Sequence, residues 1–308
     1  MSLAPNLFEP VKSQVSAEEI TRPSTTLLQD AWRRFRKNYL AMAGLLVLLA
    51  LVLFAIAGPW FSDFNYFKTN LFATNEPPSW VHPFGTDNLG RDIMTRLMWG
   101  GRISLLIGFV SVLINLGIGV VYGGVSGFFG GKIDNLMMRI IDIIYSVPDL
   151  LYVILLMVVL RSEDTHAQFR NILIVLGIVN WMPLARILRG QILSLREQEY
   201  VLAARTLGAN TKRLLLTHLI PNTVGPMVIT IALQIPAAIF MEAFLSFIGI
   251  GIQPPLTSWG AMAADGRMNI PSYPNALIFP ALAIAITMLA FNFVGDGLRD
   301  AFDPKMRK

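Results

Sequence analysis

The sequence predicts an all-α polytopic membrane protein with six transmembrane helices. Of the 308 residues, 54% are hydrophobic and only 15% charged, and the apolar ones fall in long blocks rather than in stripes. An ordinary soluble domain carries about 25% charge. A mean hydropathy of +0.55 points the same way.

A helix crossing a hydrocarbon core of about 30 Å needs about 20 mostly apolar residues. Six segments meet or approach this length: 39–60, 103–122, 141–160, 171–187, 223–244 and 276–294. The fourth is the weakest, because only 171–185 is free of charge and Pro183 interrupts it. It is expected to be tilted, short or partly lining a polar cavity. Six spans put both termini on one side of the membrane. With the fourth span counted, Lys and Arg number 18 on the side of the termini and 7 on the other. The positive-inside rule then places both termini in the cytoplasm.

The division that follows is a leader 1–38, a first span 39–60, an extracytoplasmic segment 61–102, a five-helix core 103–298 and a tail 299–308. The core includes a long cytoplasmic loop, 188–222. The first apolar run begins near Tyr39, too late for a secretory signal, so the first span is expected to stay as an anchor. The leader ends with Leu28, Ala31, Trp32 and Phe35 on one helical face and Arg33, Arg34, Arg36 and Lys37 around the other. That pattern predicts an interfacial helix lying on lipid and feeding the first span.

Composition also limits the chemistry. There are no cysteines, which removes thiolate catalysis, zinc-thiolate sites and Fe–S clusters. The net charge of +5 reflects basic residues retained on the cytoplasmic side rather than a nucleic-acid footprint. Residues 127–133, G-F-F-G-G-K-I, resemble a phosphate loop in outline, but Ser126 stands where its first glycine belongs and Ile133 replaces the magnesium-holding Ser or Thr. If ATP drives this protein, another chain binds it. The string Gly124-Val125-Ser126-Gly127 matches one found around some intramembrane serine nucleophiles, yet no base is expected near Ser126; His82, His166 and His218 all lie outside the membrane. Close small-residue helix packing is the better reading. No H-E-x-x-H string is present, so no metal site of that type is expected.

Asp149 and Glu242 fall within spans, and intramembrane acids are functional candidates by default. Each is a candidate for the transport path or its gate. Each also has a plainer reading: Asp149 follows Pro148, where a broken helix frees backbone donors, and Glu242 could lie close to the outer surface.

The most informative stretch begins at Ser194 and reads S-L-R-E-Q-E-Y-V-L-A-A-R-T-L-G-A-N. Ser194 with Glu197 forms a capping-box pattern, and Gly208 supplies a left-handed stop, so a helix of about four turns is expected. Tyr200, Val201, Ala204, Leu207 and Gly208 follow a helical period and would give one face an aromatic among small residues. Glu197 and Glu199 suit its N-terminus and Arg205 its C-terminus. Such a face either admits a second body or lies flat on the chain's own membrane domain.

The string from Glu199 through Ala203, Ala204, Arg205 and Gly208 to Ala209, with His218-Leu219-Ile220-Pro221-Asn222, resembles the EAA signature of permease subunits of bacterial ABC importers. The general pattern has Glu, Ile and Leu where this chain has Leu202, His218 and Ile220, and these departures resemble the peptide and nickel branch. Four more segments are similar to that branch: 82–92, 100–104, 242–249 with 258–260, and 295–300 through Asp303-Pro304. The long leader and the segment 82–87, H-P-F-G-T-D, resemble its C-type permease.

The resemblance implies a type I permease core in a bacterial cytoplasmic membrane. It further implies a second permease chain, two cytoplasmic ATPases that carry ATP and Mg, and an extracytoplasmic substrate-binding protein. This chain would hold no cofactor and catalyse nothing. Glu199, Tyr200, Val201, Ala203, Ala204, Arg205, Gly208 and Ala209 would form the coupling helix that docks on an ATPase. Oligopeptides are the preferred substrate, with dipeptides and nickel chelates as alternatives. The outer segments 85–92 and 254–260 would receive the binding protein, form an external gate or simply build turns. Pro221 and Asn222 serve helix geometry or coupling. A carrier working without ATP would instead show facing ionisable pairs or internal repeats, and neither is visible.

Overall fold

The computed structural model describes residues 26–302; residues 1–25 and 303–308, with the Asp303-Pro304 motif and most of the leader, lie outside that range. Five helical rods among the described residues are long and apolar enough to cross a membrane, and a bent pair meets the same test when taken as one span. The protein is multi-pass and all-α among the described residues.

Helix α1 (Leu27–Phe35) starts in a complete capping box between Thr26 and Gln29. Its amphipathic pattern is realised in part: Ala31 and Phe35 pack with Ala41 and Ala301, while Leu28 and Trp32 stay exposed. Helix α2 (Tyr39–Ala57) is capped by Asn38 and continues as a 3-10 turn to Phe61. Helix α3 (Ile93–Phe129) is capped by Asp92 and runs 37 residues. It starts well inside the segment expected to be an outer loop, because Arg96, Gly100, Gly101 and Arg102 dilute hydropathy without breaking helical geometry.

The third span is broken. Helices α4 (Gly131–Tyr145) and α5 (Asp149–Val159) meet at a bend of 78° across Ser146, Val147 and Pro148. The proline biases the residue before it out of the helical region, which is why the break falls there. The fourth span is longer than expected: α6 (Thr165–Val179) and α7 (Met182–Leu195) form one rod, and Pro183 falls within the first turn of α7, where no donor is lost.

Helix α8 (Glu199–Thr206) follows after three residues. A single turn α9 (Thr211–Arg213), a π-helical stretch Leu214–Leu219 and a 3-10 turn Ile220–Thr223 lead into α10 (Val224–Phe247). Pro221 sits in that 3-10 turn, and the side-chain amide of Asn222 donates to His218 O at 2.5 Å, within the entry to α10. Helix α11 (Trp259–Gly266) is capped by Ser258, and α12 (Asn275–Phe302) extends through four residues expected to be tail.

The rods alternate, so α1, α8 and the last turns of α12 share one end of the bundle, the near end; α11 and the α2–α3 connection occupy the far end. The main core joins Ile107, Val153, Ile172, Leu176 and Leu245. Helices α3 and α7 share the most extensive contact in the bundle, over Gly119, Gly123 and Gly127. A Cβ on Gly123 would lie 2.4 Å from Ala185 O. The small residues around Ser126 are thus there for packing. Ser126 itself donates to Asp134 Oδ1 at 2.5 Å, and no histidine is involved.

Candidate functional site

Two turns of helix at the near end form the candidate site. The preceding helix does not stop at Ser194 but continues to Leu195, so the expected capping box is not made. Glu197 pairs instead with Arg196, Oε1 to Nε at 2.9 Å. Gln198 is the N-cap of α8 and contributes no side-chain hydrogen bond. The helix therefore has eight residues rather than the four turns expected. Gly208 adopts φ +87°, and its N–H donates to Arg205 O, as the left-handed stop requires.

The predicted face divides. Val201, expected with the exposed contact residues, is 1% exposed and packs with Phe128, Ile192, Leu214 and Leu219; Ala204 and Ala209 flank that cluster half-buried. Glu199, Tyr200, Ala203, Arg205 and Gly208 are exposed, and so are Leu202 and Leu207. Leu207 is 88% exposed. The helical period ends at Thr206, so Leu207 and Gly208 leave the face that Val201 occupies. One side of α8 packs on the bundle, and the other exposes an aromatic, small residues, one acid and one basic residue. Glu199 in the first turn and Arg205 in the last complement the helix dipole.

Glu242 and Asp149 differ sharply. Glu242 is completely buried, within two turns of the far end of α10. It accepts from Ser246 Oγ at 2.7 Å and from Ser104 Oγ at 3.2 Å. Ser104 Oγ in turn accepts from the Trp259 backbone N–H at 3.1 Å, so this carboxyl joins α10, α3 and the start of α11. Asp149 is exposed at the bend of the third span, where its Oδ1 accepts from Leu150 N at 2.9 Å. The structure does not bring these two acids together.

At the far end the segment 85–92 folds as a buried ionic knot. Asp87 Oδ1 accepts from Leu89 N and Arg91 N, each at 2.9 Å, and Asp87 Oδ2 accepts from Arg91 Nε at 2.7 Å and from Arg96. Arg96 also donates to Asp265 of α11 at 3.2 Å. His82 Nδ1 lies 3.0 Å from Asp92 Oδ1, while Asp92 Oδ2 caps α3 through Thr95 N at 2.7 Å. These motif residues satisfy one another inside the chain.

Comparison with known proteins then decides the family. The profile of the binding-protein-dependent transport system inner membrane component matches residues 119–308, and that of the N-terminal TM domain of oligopeptide transport permease C matches residues 26–78. The chain is 51% identical to the oligopeptide transport system permease protein OppC of Bacillus subtilis, covering 98% of each. It is 50% identical to the dipeptide transport system permease protein DppC of the same organism, over 95% of this chain and 90% of the relative. Against the OppC protein of Escherichia coli it is 42% identical, over 94% and 95%. The chain belongs to the binding-protein-dependent permease family.

As a permease it is the non-catalytic membrane subunit of an ABC importer, with a type I permease core in the cytoplasmic membrane. The profile match takes in α8 and the whole of α10 to α12. Sequence reading missed the ion pairs that tie the permease together. Arg96, Asp265, Asp134 and Arg189 each lie on helices distant in sequence from their partners, and the only local signal was a charged residue inside an otherwise apolar helix.

Proposed function

We propose that this permease is one of two six-span chains of an importer for oligopeptides, docked through α8 on one of two cytoplasmic ATPases that bind ATP and Mg. A substrate-binding protein delivers the peptide at the far end. The observation that carries the reading is α8 itself, a short exposed helix anchored to the bundle by Val201 and stopped by Gly208. Glu199, Tyr200, Ala203, Arg205 and Gly208 form the contact, with Val201, Ala204 and Ala209 supporting it from behind. Oligopeptide rests on the names of the relatives and on the match over residues 26–78. A dipeptide substrate is the second reading, since a dipeptide permease is nearly as similar.

Both termini and α8 face the cytoplasm, on the strength of 18 basic residues against 7. Lipid surrounds the outward apolar faces. Transport proceeds by alternating access: ATP binding closes the ATPases, α8 moves with them, and the spans rotate between outward and inward openings. Asp149, exposed at a bend whose freed backbone groups need water or protein, lines the path. Glu242 holds the far-end gate by linking α3, α10 and α11.

The test is to extract the tagged chain from its native membrane in mild detergent and identify what co-purifies by mass spectrometry. A second six-span chain and two P-loop ATPases support the proposal. Recovery of this chain alone, or only with copies of itself, contradicts it. Uptake of labelled peptides graded in length then separates oligopeptide from dipeptide.

A further inference from the structure

The last carbonyls of an α-helix have no intrahelical donors. In α3 two of them face Arg196, whose Nη1 lies 3.1 Å from Phe128 O and 3.4 Å from Gly127 O. Arg196 is the C-cap of α7, its own N–H bonded to Ile192 O. Only Glu197 and Gln198 separate it from α8.

The corner between α3 and α4 is shaped to receive that side chain. Gly130 turns it at φ +63°, and a Cβ on Gly130 would lie 2.5 Å from Arg196 Nη1. Two turns back along the same face of α7, Arg189 Nη2 donates to Asp134 Oδ2 of α4 at 2.6 Å. Arg189 therefore fixes α7 to α4, while Arg196 fixes the root of α8 to the end of α3. From that end α3 runs without a break, about 55 Å at the standard helical rise. At its far end Leu97 O accepts from Trp259 Nε1 at 2.9 Å, and Arg96 reaches Asp265.

We propose that Arg196 is a positioning residue that carries displacement of α8 into α3, making α3 the rod by which the near end moves the far-end contacts with α11. A charge-assisted bond to two helix-terminal carbonyls is stiff and directional, whereas the apolar contact of Val201 with Phe128 can slide. The proposal rests on the reading of α8 as the ATPase contact, so docking and transmission are measured separately.

The experiment uses the complete importer in proteoliposomes, with Tyr200→Cys paired to a cysteine on the ATPase as the readout of docking. Peptide taken up per ATP hydrolysed is the readout of transmission. Arg196→Ala is expected to lower that ratio about tenfold, the effect of losing one charged hydrogen bond, while the crosslink forms as before. Arg196→Lys, which keeps a donor but reaches one carbonyl, is expected to lower it about threefold. If the alanine variant does not assemble, the lysine variant alone decides.

An unchanged ratio in the assembled variants overturns the proposal. A ratio that falls together with the crosslink also overturns it, because Arg196 would then only hold α8 in place. Absence of the crosslink when Arg196 is intact instead defeats the reading of α8.

Discussion

Arg96 on α3 donates to Asp265 on α11 at 3.2 Å, bridging two helices through residues 169 positions apart in sequence. With Asp87 on its other side, Arg96 ties the segment before α3 to the helix before the last span. The far end is thereby closed by charge within one chain, and the motif 82–92 has a structural task whatever else binds there.

The arrangement predicts an order of stabilities. Asp87 and Arg96 have almost fully buried side chains, whereas that of Asp265 is 46% exposed. Asp87→Ala leaves Arg91 and Arg96 without their shared carboxylate and should cost about 3 kcal/mol or more. Asp265→Ala should cost less than about 1 kcal/mol. Thermal unfolding midpoints of the purified importer in detergent check the order; equal shifts for the two variants contradict it.

Glu242 allows a similar comparison. Glu242→Ala strips the Ser104 and Ser246 hydroxyls of their acceptor in a buried site and should destabilise by about 1–3 kcal/mol. Glu242→Gln keeps a carbonyl acceptor and should lie within about 1 kcal/mol of the parent. If Glu242 acts only as a hydrogen-bond hub of the gate, the glutamine variant should also transport at close to the normal rate. A stable glutamine variant that no longer transports would show that the acid itself is needed.

Gly208 separates backbone from surface effects. Apart from its own chain neighbours, no atom of the described residues lies within 4 Å of a Cβ placed there, but φ is +87°. Gly208→Ala should therefore cost about 1 kcal/mol through the backbone alone. Asn tolerates this conformation better, so Gly208→Asn should fold normally and still impair uptake by crowding the docked ATPase. Gly208→Asp should reduce both uptake and coupled ATP hydrolysis with insertion intact. Normal uptake by the Asn variant would reduce Gly208 to a turn former.

Much of this architecture was legible because lipid forces long apolar helices to be written plainly in the sequence. The break before Asp149 could be read from Pro148, and the left-handed stop from Gly208. The helical start at Ile93 could not, because arginines and glycines in its first turns read as loop while a long apolar helix carries them. The capping box at Ser194 misled for a related reason: local pattern favoured a new helix there, but the packing of Leu188 and Ile192 against α3 extends the old one to Leu195. The inward turn of Val201 and the pairing of Arg96 with Asp265 depend on tertiary contact, which periodicity does not encode.

The central claim is that the outer side of α8 meets an ATPase while Val201 faces the permease. The chain has no cysteine, so single cysteines along 199–207 can be scanned without background. Each would be crosslinked to the co-expressed ATPase in native membranes. The account predicts strong products at Tyr200, Ala203 and Leu207 and none at Val201. No product at any position, or the strongest one at Val201, would contradict it.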